Sequence, residues 1–443
     1  MRFIRSIFLD SRFFVAIGVE VVLFVLAFFL PVLFPIARVG LLLLVALVVV
    51  DMVLLYGMRY GVMAARELPE RLSNGDINTI GLVVRNRYRF PARLDIVDEI
   101  PFQFQVRDFR LVVDLPSAEE RSVVYELRPT ERGEYSFGAI NIYAASPLRL
   151  VRRRYTFDRG QIVPVYPSFL QLRRYELMAH SNRLTEVGVK KIRRVGQTLE
   201  FDQIRDYVMG DDLRLVNWAG TARTGELMVN QYQDERTQHV YSIIDKGRAM
   251  MMPFEGMTLL DYAINASLVI SGVALNRGDR AGLLTFSNKA PTIVPAERKR
   301  TQMNRIMEVL YNQTTEFLES ALDLLFATVR RRLTTRSLVL LYTNFETMSA
   351  LQRQLPYLRG IARNHLLVVI FFQNSELLEL IAKPAEGVEA IYRKAIAEKF
   401  VLEKKQIVRE LQRYGIHAVL TTPAGLTVDA INKYLEIKAR RLI

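Results

Sequence analysis

The chain has 443 residues, no cysteine, four histidines and a formal charge of +14, with 60 lysines and arginines against 46 acidic residues. That composition excludes disulfides, thiolate catalysis, iron–sulfur clusters and cysteine-ligated zinc, and His180, His239, His365 and His417 are too scattered to form a ligand spacing, so any metal would be held by oxygen. Half of the residues are hydrophobic and the mean hydropathy is +0.12, high for a wholly soluble protein. The positive charge suits nucleic acid, an anionic membrane face or an acidic partner, and by itself selects none of them.

Two apolar runs open the chain, Phe13 to Phe34 and Ile36 to Tyr56. Each is close to the roughly 20 residues a helix needs to cross a bilayer. Pro31 and Pro35 mark the turn between them, and residues 1–58 are read as a transmembrane helical hairpin. The first run is too long for a signal peptide's apolar segment and is followed at once by a second. Arg2, Arg5 and Arg12 precede the hairpin, Arg59, Arg66 and Arg71 follow it, and the turn holds only Arg38. The positive-inside rule then puts both ends in the cytoplasm, with the hairpin in the cell's inner membrane. Glu20 and Asp51 lie within or near the spans, where carboxylates are functional candidates. With only two spans, they are expected to face each other, a partner helix or the headgroups.

Residues 59–167 change to short alternating runs: Ile80 to Asn86, Ala92 to Asp98, Arg110 to Leu115, Ser122 to Arg128, Gly133 to Ile142, Arg154 to Phe157 and Gln161 to Tyr166. Turn signals such as Ser73-Asn74-Gly75-Asp76 and Ser146-Pro147 separate them, which predicts a small all-β sandwich. The tract Arg149 to Arg154 reads as a charged, solvated sandwich edge, with phosphate contact as the alternative. Residues 168–238 form a basic connector.

From residue 239 to 443, strands and helices alternate. Strands are expected at His239 to Ile244, Arg280 to Phe286, near Thr292, and at Ser337 to Tyr342, His365 to Phe371 and Ile416 to Leu420. Helices are expected at Leu259 to Leu275, Arg298 to Tyr311, Phe317 to Leu333, Thr347 to Arg363, Val388 to Tyr414 and Val428 to Arg441. Runs such as Leu366 to Phe372 suit parallel strands covered on both faces, so the expected fold is a doubly wound α/β sheet. Ligands collect outside the carboxyl ends of such strands, which makes Asp245 a candidate ligand position. The same aspartate also suits a cap of the following turn.

The run Gly210 to Arg236, GDDLRLVNWAGTARTGELMVNQYQDER, resembles the signature of the bacterial domain of unknown function 58 family, with Gly210, Asp211, Asp212, Trp218, Arg223 and Gly225 as its marked positions. Glu131 to Tyr135, Ser146 to Leu148 and Gly278 to Ser287 are similar to other parts of that family. The resemblance implies a C-terminal von Willebrand factor A-like domain, and a partnership with a MoxR-type AAA+ ATPase in maturing or remodelling proteins or cell-envelope assemblies. It also implies a metal-ion-dependent adhesion site built from Asp-x-Ser-x-Ser, a loop threonine and a later aspartate. Magnesium asks for about six oxygens in near-octahedral geometry. Here those positions read Asp245, Gly247 and Ala249, then Thr314 or Thr315, then Asn344. Both serines and one charge are missing, while Lys246 and Arg248 add positive charge. The expectation is a degenerate site with no metal and no cofactor, in which Arg248 neutralises Asp245. The alternative is that Asp245 accepts backbone N–H bonds from its own loop.

There is no phosphate-binding loop, nucleophile elbow or His-Glu-x-x-His pair. The adjacent pair Asp211-Asp212 suits a turn or cap rather than acid–base work. Trp218, the one tryptophan, is expected to anchor the connector's core. Nucleic-acid binding rests on Lys190-Lys191-Ile192-Arg193-Arg194 and the net charge, which a basic face beside an anionic leaflet explains equally well. The expected function is therefore a non-enzymatic, membrane-anchored interaction module. A metal-dependent adhesin or hydrolase, or a nucleic-acid-binding membrane protein, stands as the alternative.

Overall fold

The structure is a computed structural model that describes residues 6–157, 160–180, 188, 200–209, 211–233, 237–440 and 442. The chain separates into two compact units, 1–166 and 167–443.

In the first unit, strand β1 (Ile7–Leu9) leads into helix α1 (Ser11–Phe29). Asp10 starts that helix by accepting the Ser11 N–H at 2.6 Å. A 3-10 turn, Pro31–Leu33, follows, and α2 (Phe34–Tyr56) carries Pro35 in its first turn, where a missing N–H costs nothing. Both helices are long and apolar enough to cross a membrane, and most of their large apolar side chains are exposed. Glu20 of α1 lies against Gly40 of α2, where a Cβ would collide with its carboxylate.

Asp51 departs from the expectation of a helix or headgroup partner. It is fully buried, and its carboxylate accepts the Leu150 and Val151 N–H groups at 2.9 and 2.8 Å and the Ser146 hydroxyl. The Arg149 to Arg154 tract departs too, because its charge is used internally. Arg152 pairs with Asp10 and Asp95, and Arg154 donates to Asn141. Arg153 donates to the carbonyls of Leu55, Met58 and Arg59 at 2.6 to 3.0 Å, and its guanidinium lies over the Tyr56 and Tyr155 rings. Carbonyls orphaned at the end of α2 thus find a planar cation, which also favours the negative end of the helix dipole.

The rest of this unit is β-rich. Its strands are β2 (Val62–Glu67), β3 (Leu72–Ser73), β4 (Asn78–Asn86), β5 (Ala92–Asp98), β6 (Leu111–Leu115), β7 (Glu120–Leu127), β8 (Gly133–Phe137), β9 (Ile140–Ala145), β10 (Val151–Phe157) and β11 (Gln161–Tyr166). They form sheets in the orders β1-β10-β9-β5-β6, β3-β11-β8 and β2-β4-β7. Leu82, Leu94, Phe137, Ile142 and Val165, drawn from all three sheets, share one core. The single strand expected from Gly133 to Ile142 divides, with its halves in different sheets. Gly138 sits at the break, where a Cβ would strike the Glu99 side chain, and Glu99 accepts the Ala139 N–H. Arg66 is buried in this core, gripping Asp98 through two nitrogens and donating to Gln161 and Gly138.

In the second unit, α3 (Phe169–His180) packs on α5 (Leu259–Asn276), and a two-stranded ribbon pairs β12 (Glu200–Asp206) with β13 (Met228–Gln233) around helix α4 (Trp218–Thr224). The α/β sheet contains β14 (His239–Asp245), β17 (Arg280–Phe286), β18 (Thr292–Glu297), β19 (Leu338–Tyr342), β20 (Leu366–Phe372) and β21 (His417–Thr421). A short hairpin, β15 (Pro253–Phe254) with β16 (Met257–Thr258), precedes α5. The sheet order is β18-β17-β14-β19-β20-β21, parallel except for β18 at one edge. This is a mixed sheet, whose central strands read as continuous apolar runs because both faces are covered.

The helices are α5 (Leu259–Asn276), α6 (Gln302–Tyr311), α7 (Leu322–Arg332), α8 (Met348–Asn364), α9 (Ser375–Ala382), α10 (Val388–Arg413) and α11 (Leu426–Ala439). Ile243, Leu341 and Val369 pack against Leu325, Leu358 and Leu411 of α7, α8 and α10. Helix α5 is also long and apolar enough to cross a membrane, yet nearly every residue from Leu259 to Ala274 is buried in this unit. Three sequence expectations shift. Helix α6 starts at Gln302 rather than Arg298, α7 starts at Leu322 rather than Phe317, and α9 was not foreseen. Asn374 creates α9 by accepting the Glu376 and Leu377 N–H groups.

Candidate functional site

The first strand of the sheet, β14, lies between β17 and β19, where the chain's winding reverses direction. Such a switch point leaves a crevice outside the carboxyl ends of the strands. An open cleft of about 820 Å³ lies there, lined by Asp245, Arg248, Glu319, Ser320, Asn344 and Arg353 among others.

Asp245 ends β14 and is 2% exposed. Its Oδ1 accepts the Gly247 N–H at 2.8 Å and the Ser320 hydroxyl; its Oδ2 accepts the Thr343 hydroxyl at 2.7 Å. Burial pushes the carboxyl above its ordinary range, and these three bonds pull it partly back. The expectation that Arg248 neutralises Asp245 is not met. Arg248 is exposed, and among the described residues no lysine or arginine forms an ion pair with Asp245. Hydroxyl dipoles from two other segments do the work expected of a cation. Lys246 also turns away, its ammonium lying 3.4 Å from the Thr314 carbonyl.

The loop hydroxyl expected at Thr314 or Thr315 comes from Ser320. Thr315 donates instead to the Lys246 carbonyl at 2.5 Å and accepts the Phe317 N–H, which shapes the loop beside the cleft. Gly247 explains the exchange, since a Cβ there would fall on the Ser320 hydroxyl. Loss of a side chain at 247 makes room for a hydroxyl from 320. The sequence reading hid this because it began the helix at Phe317 and so placed Ser320 within it, whereas α7 starts at Leu322.

Ala249 offers its carbonyl to the Asn344 Nδ2 at 3.3 Å, and the Asn344 Oδ1 accepts the Lys404 ammonium at 2.6 Å. Burial holds Lys404 down to about 8, opposed by Glu346 and Glu403. Lys404, on α10, carries no sequence signal linking it to Asn344, 60 residues earlier. A divalent ion does not fit this donor set. Both Asp245 oxygens are engaged by donors, positions 247 and 249 bring no side-chain oxygen, and an ammonium already holds the Asn344 oxygen.

Among the marked signature positions, Asp211 and Asp212 lie in the turn after β12, and Trp218, Arg223 and Gly225 lie on α4 or at its end; Gly210 falls outside the described residues, as do Lys190, Lys191, Ile192, Arg193 and Arg194. Asp211 accepts the Val208 N–H at 2.9 Å and pairs with Arg205 at 2.7 Å, a turn role; Arg205 holds its carboxyl below the ordinary range. The Asp212 carbonyl accepts the Leu215 N–H within the next turn. Asn217 caps α4 through the Gly220 N–H, Arg223 occupies its last turn, and Gly225 ends it in the left-handed conformation at φ 77°. The core role expected of Trp218 is not met. Its side chain is 71% exposed, because it begins a seven-residue helix whose inner contacts to β13 are made by smaller groups.

Residues 203–410 match the family described as "Protein of unknown function DUF58". The chain is 26% identical over 175 residues to the uncharacterized protein YeaD of Bacillus subtilis, covering 39% of this chain and 41% of YeaD. It is 28% identical over 115 residues to an uncharacterized protein of Mycobacterium tuberculosis strain H37Rv, covering 26% of this chain and 36% of that one. The match thus spans well under half the length of either relative. Among solved structures, proximal thread matrix protein 1 from the mussel byssus is 11% identical with a TM-score of 0.26, covering 46% of this chain and 48% of that chain, too distant to inform the fold. Through residues 203–410, this chain belongs to the DUF58 family of proteins of unknown function.

Proposed function

We propose that this chain is a non-enzymatic, membrane-anchored docking protein whose C-terminal domain is von Willebrand factor A-like and receives a cytoplasmic partner of the MoxR-type AAA+ class. The observation that carries the reading is the cleft at the switch point of the sheet. Its buried carboxylate is satisfied within the chain, while its rim presents Arg248, Glu319, Glu346 and Arg353. An acid–base or nucleophilic site needs a reactive group held ready for substrate. In this cleft the Ser320 and Thr343 hydroxyls donate to Asp245, and no histidine lines it among the described residues. A cleft with mixed charge at its rim and a hydrogen-bonded floor suits recognition of a protein surface. The strand order and Asp245 at the end of the first strand support the A-like reading, and the two apolar helices near the N-terminus support the anchor.

The anchor's orientation is tested by reporter fusion. A reporter placed after Ile443 is expected to be active as a cytoplasmic fusion, and one inserted between Pro31 and Pro35 as an external one, because the arginines flank the hairpin and only Arg38 lies near its turn. The reverse pattern would put the α/β domain outside the cell and abolish direct contact with a cytoplasmic ATPase.

A further inference from the structure

A second cavity, of about 350 Å³, lies outside the carboxyl ends of β19, β20 and β21. Phe254, Leu259, Phe372, Leu377 and Phe400 give it an apolar wall, and Lys404 supplies a cation. Its size falls at the small end of ligand pockets, roughly 300–1,000 Å³. An ammonium has three N–H donors. Among the described residues, the hydrogen bond Lys404 makes is to Asn344, and its nitrogen lies 5.7 Å from the centre of the Phe371 ring. Glu346, on the same lining, and Glu403 act on this ammonium through space without a hydrogen bond to it among the described residues, so donors are left for an anion that enters between the apolar walls.

We propose that this cavity binds a small monocarboxylate with an apolar chain, its carboxylate received by Lys404 and its chain by the aromatic and aliphatic walls. The site is separate from the docking cleft, although Asn344 and Glu346 border both. The apolar lining selects the chain, and the ammonium selects the head group. Glu346 and Glu403 act on the same ammonium, so a dianion would meet more repulsion than a single carboxylate. Because burial keeps Lys404 titrating near 8, the site loses its charge in mildly alkaline solution. The linings from β15, α5, β20 and α9 contribute no titratable group, which leaves Lys404, Glu346 and Glu403 to set that dependence.

The test uses the full chain in zwitterionic lipid nanodiscs, with radiolabelled octanoate in equilibrium dialysis and empty discs as the blank. Octanoate is expected to bind saturably at one site, and octylammonium not to displace it. Raising the pH through the titration of Lys404 should weaken octanoate binding progressively. Lys404→Met should weaken it by about tenfold or more, the worth of one charge-assisted hydrogen bond. Octanoate binding no better than to empty discs, displacement by octylammonium as effective as by unlabelled octanoate, or unchanged affinity in Lys404→Met would each overturn the proposal. If Lys404→Met does not fold, the pH series and the octylammonium competition on the unaltered chain decide it.

Discussion

Replacing Arg66 with methionine is expected to destabilise the β-rich unit by about 3–5 kcal/mol, the usual cost of stranding one partner of a buried ion pair. Both side chains of the Arg66–Asp98 pair are fully buried. Tyr125 donates to the same Asp98 carboxylate at 2.5 Å, and the Arg66 guanidinium also reaches Gln161 and the Gly138 carbonyl while lying over the Phe137 ring. Methionine keeps some of the volume but supplies no donor, so Asp98 is left charged with only the tyrosine hydroxyl. Hydrogen exchange of the β2 and β5 amides, measured on the full chain in nanodiscs, should lose most of its protection. Adding Asp98→Leu should recover a large part of the loss, because an apolar pair of similar size replaces a buried ion pair at little cost. Equal loss in the single and double variants would show that packing around Phe137, rather than the stranded charge, sets the cost.

Asp245→Ala is expected to cost about 2–4 kcal/mol, since the Ser320 and Thr343 hydroxyls and the Gly247 N–H each lose their acceptor in a buried site. Asp245→Asn should behave in the opposite way. Burial raises the Asp245 carboxyl above its ordinary 3.8, so the folded chain holds that proton more tightly than the unfolded chain does. The stability this contributes is present below the unfolded value and is lost as pH rises through the folded one. Above the folded value the charge is therefore a net cost that asparagine removes, while keeping one acceptor and allowing a hydroxyl to turn and accept its N–H. Melting curves across acidic to neutral pH should show the α/β unit of the unaltered chain weakening through that window and the asparagine variant staying flat. Millimolar magnesium should leave both midpoints in place. A variant as weak as alanine, or a midpoint raised by magnesium only when Asp245 is present, would mean that the carboxylate serves a cation.

Much of the architecture could be read from the chain because the signals were local. The apolar length of Phe13 to Phe34, the Pro31 and Pro35 break, and the alternation at Ala92 to Asp98 and Gln161 to Tyr166 depend on near neighbours alone. The same holds for the continuous apolar run at Leu366 to Phe372 and for Asp245 at the end of β14. What escaped was set by partners far away in sequence. Asp51 finds the Leu150 and Val151 amides about 100 residues later, and Arg153 returns to the end of α2. Ser320 reaches Asp245 across 75 residues, and Lys404 reaches Asn344 across 60. Charge proximity in sequence pointed to Arg248, with Lys246 expected to face away as the residue beside Asp245, but the turn at Arg248 carries its side chain to solvent too. Trp218 misled through its size, since a large aromatic on a short surface helix has no interior to enter.

The measurement that bears most directly on the docking account is site-specific photo-crosslinking from the cleft in living cells. A photoreactive residue at Arg353, exposed on the cleft rim, would be carried by the full membrane-inserted chain, with a second copy of the experiment at Ile162 on the β-rich unit as the control. The account predicts a covalent adduct with a AAA+ ATPase from position 353, absent from position 162 and reduced by the charge reversal Arg248→Glu. Full expression and membrane insertion with no AAA+ adduct from position 353, or equal adducts from both positions, would contradict it.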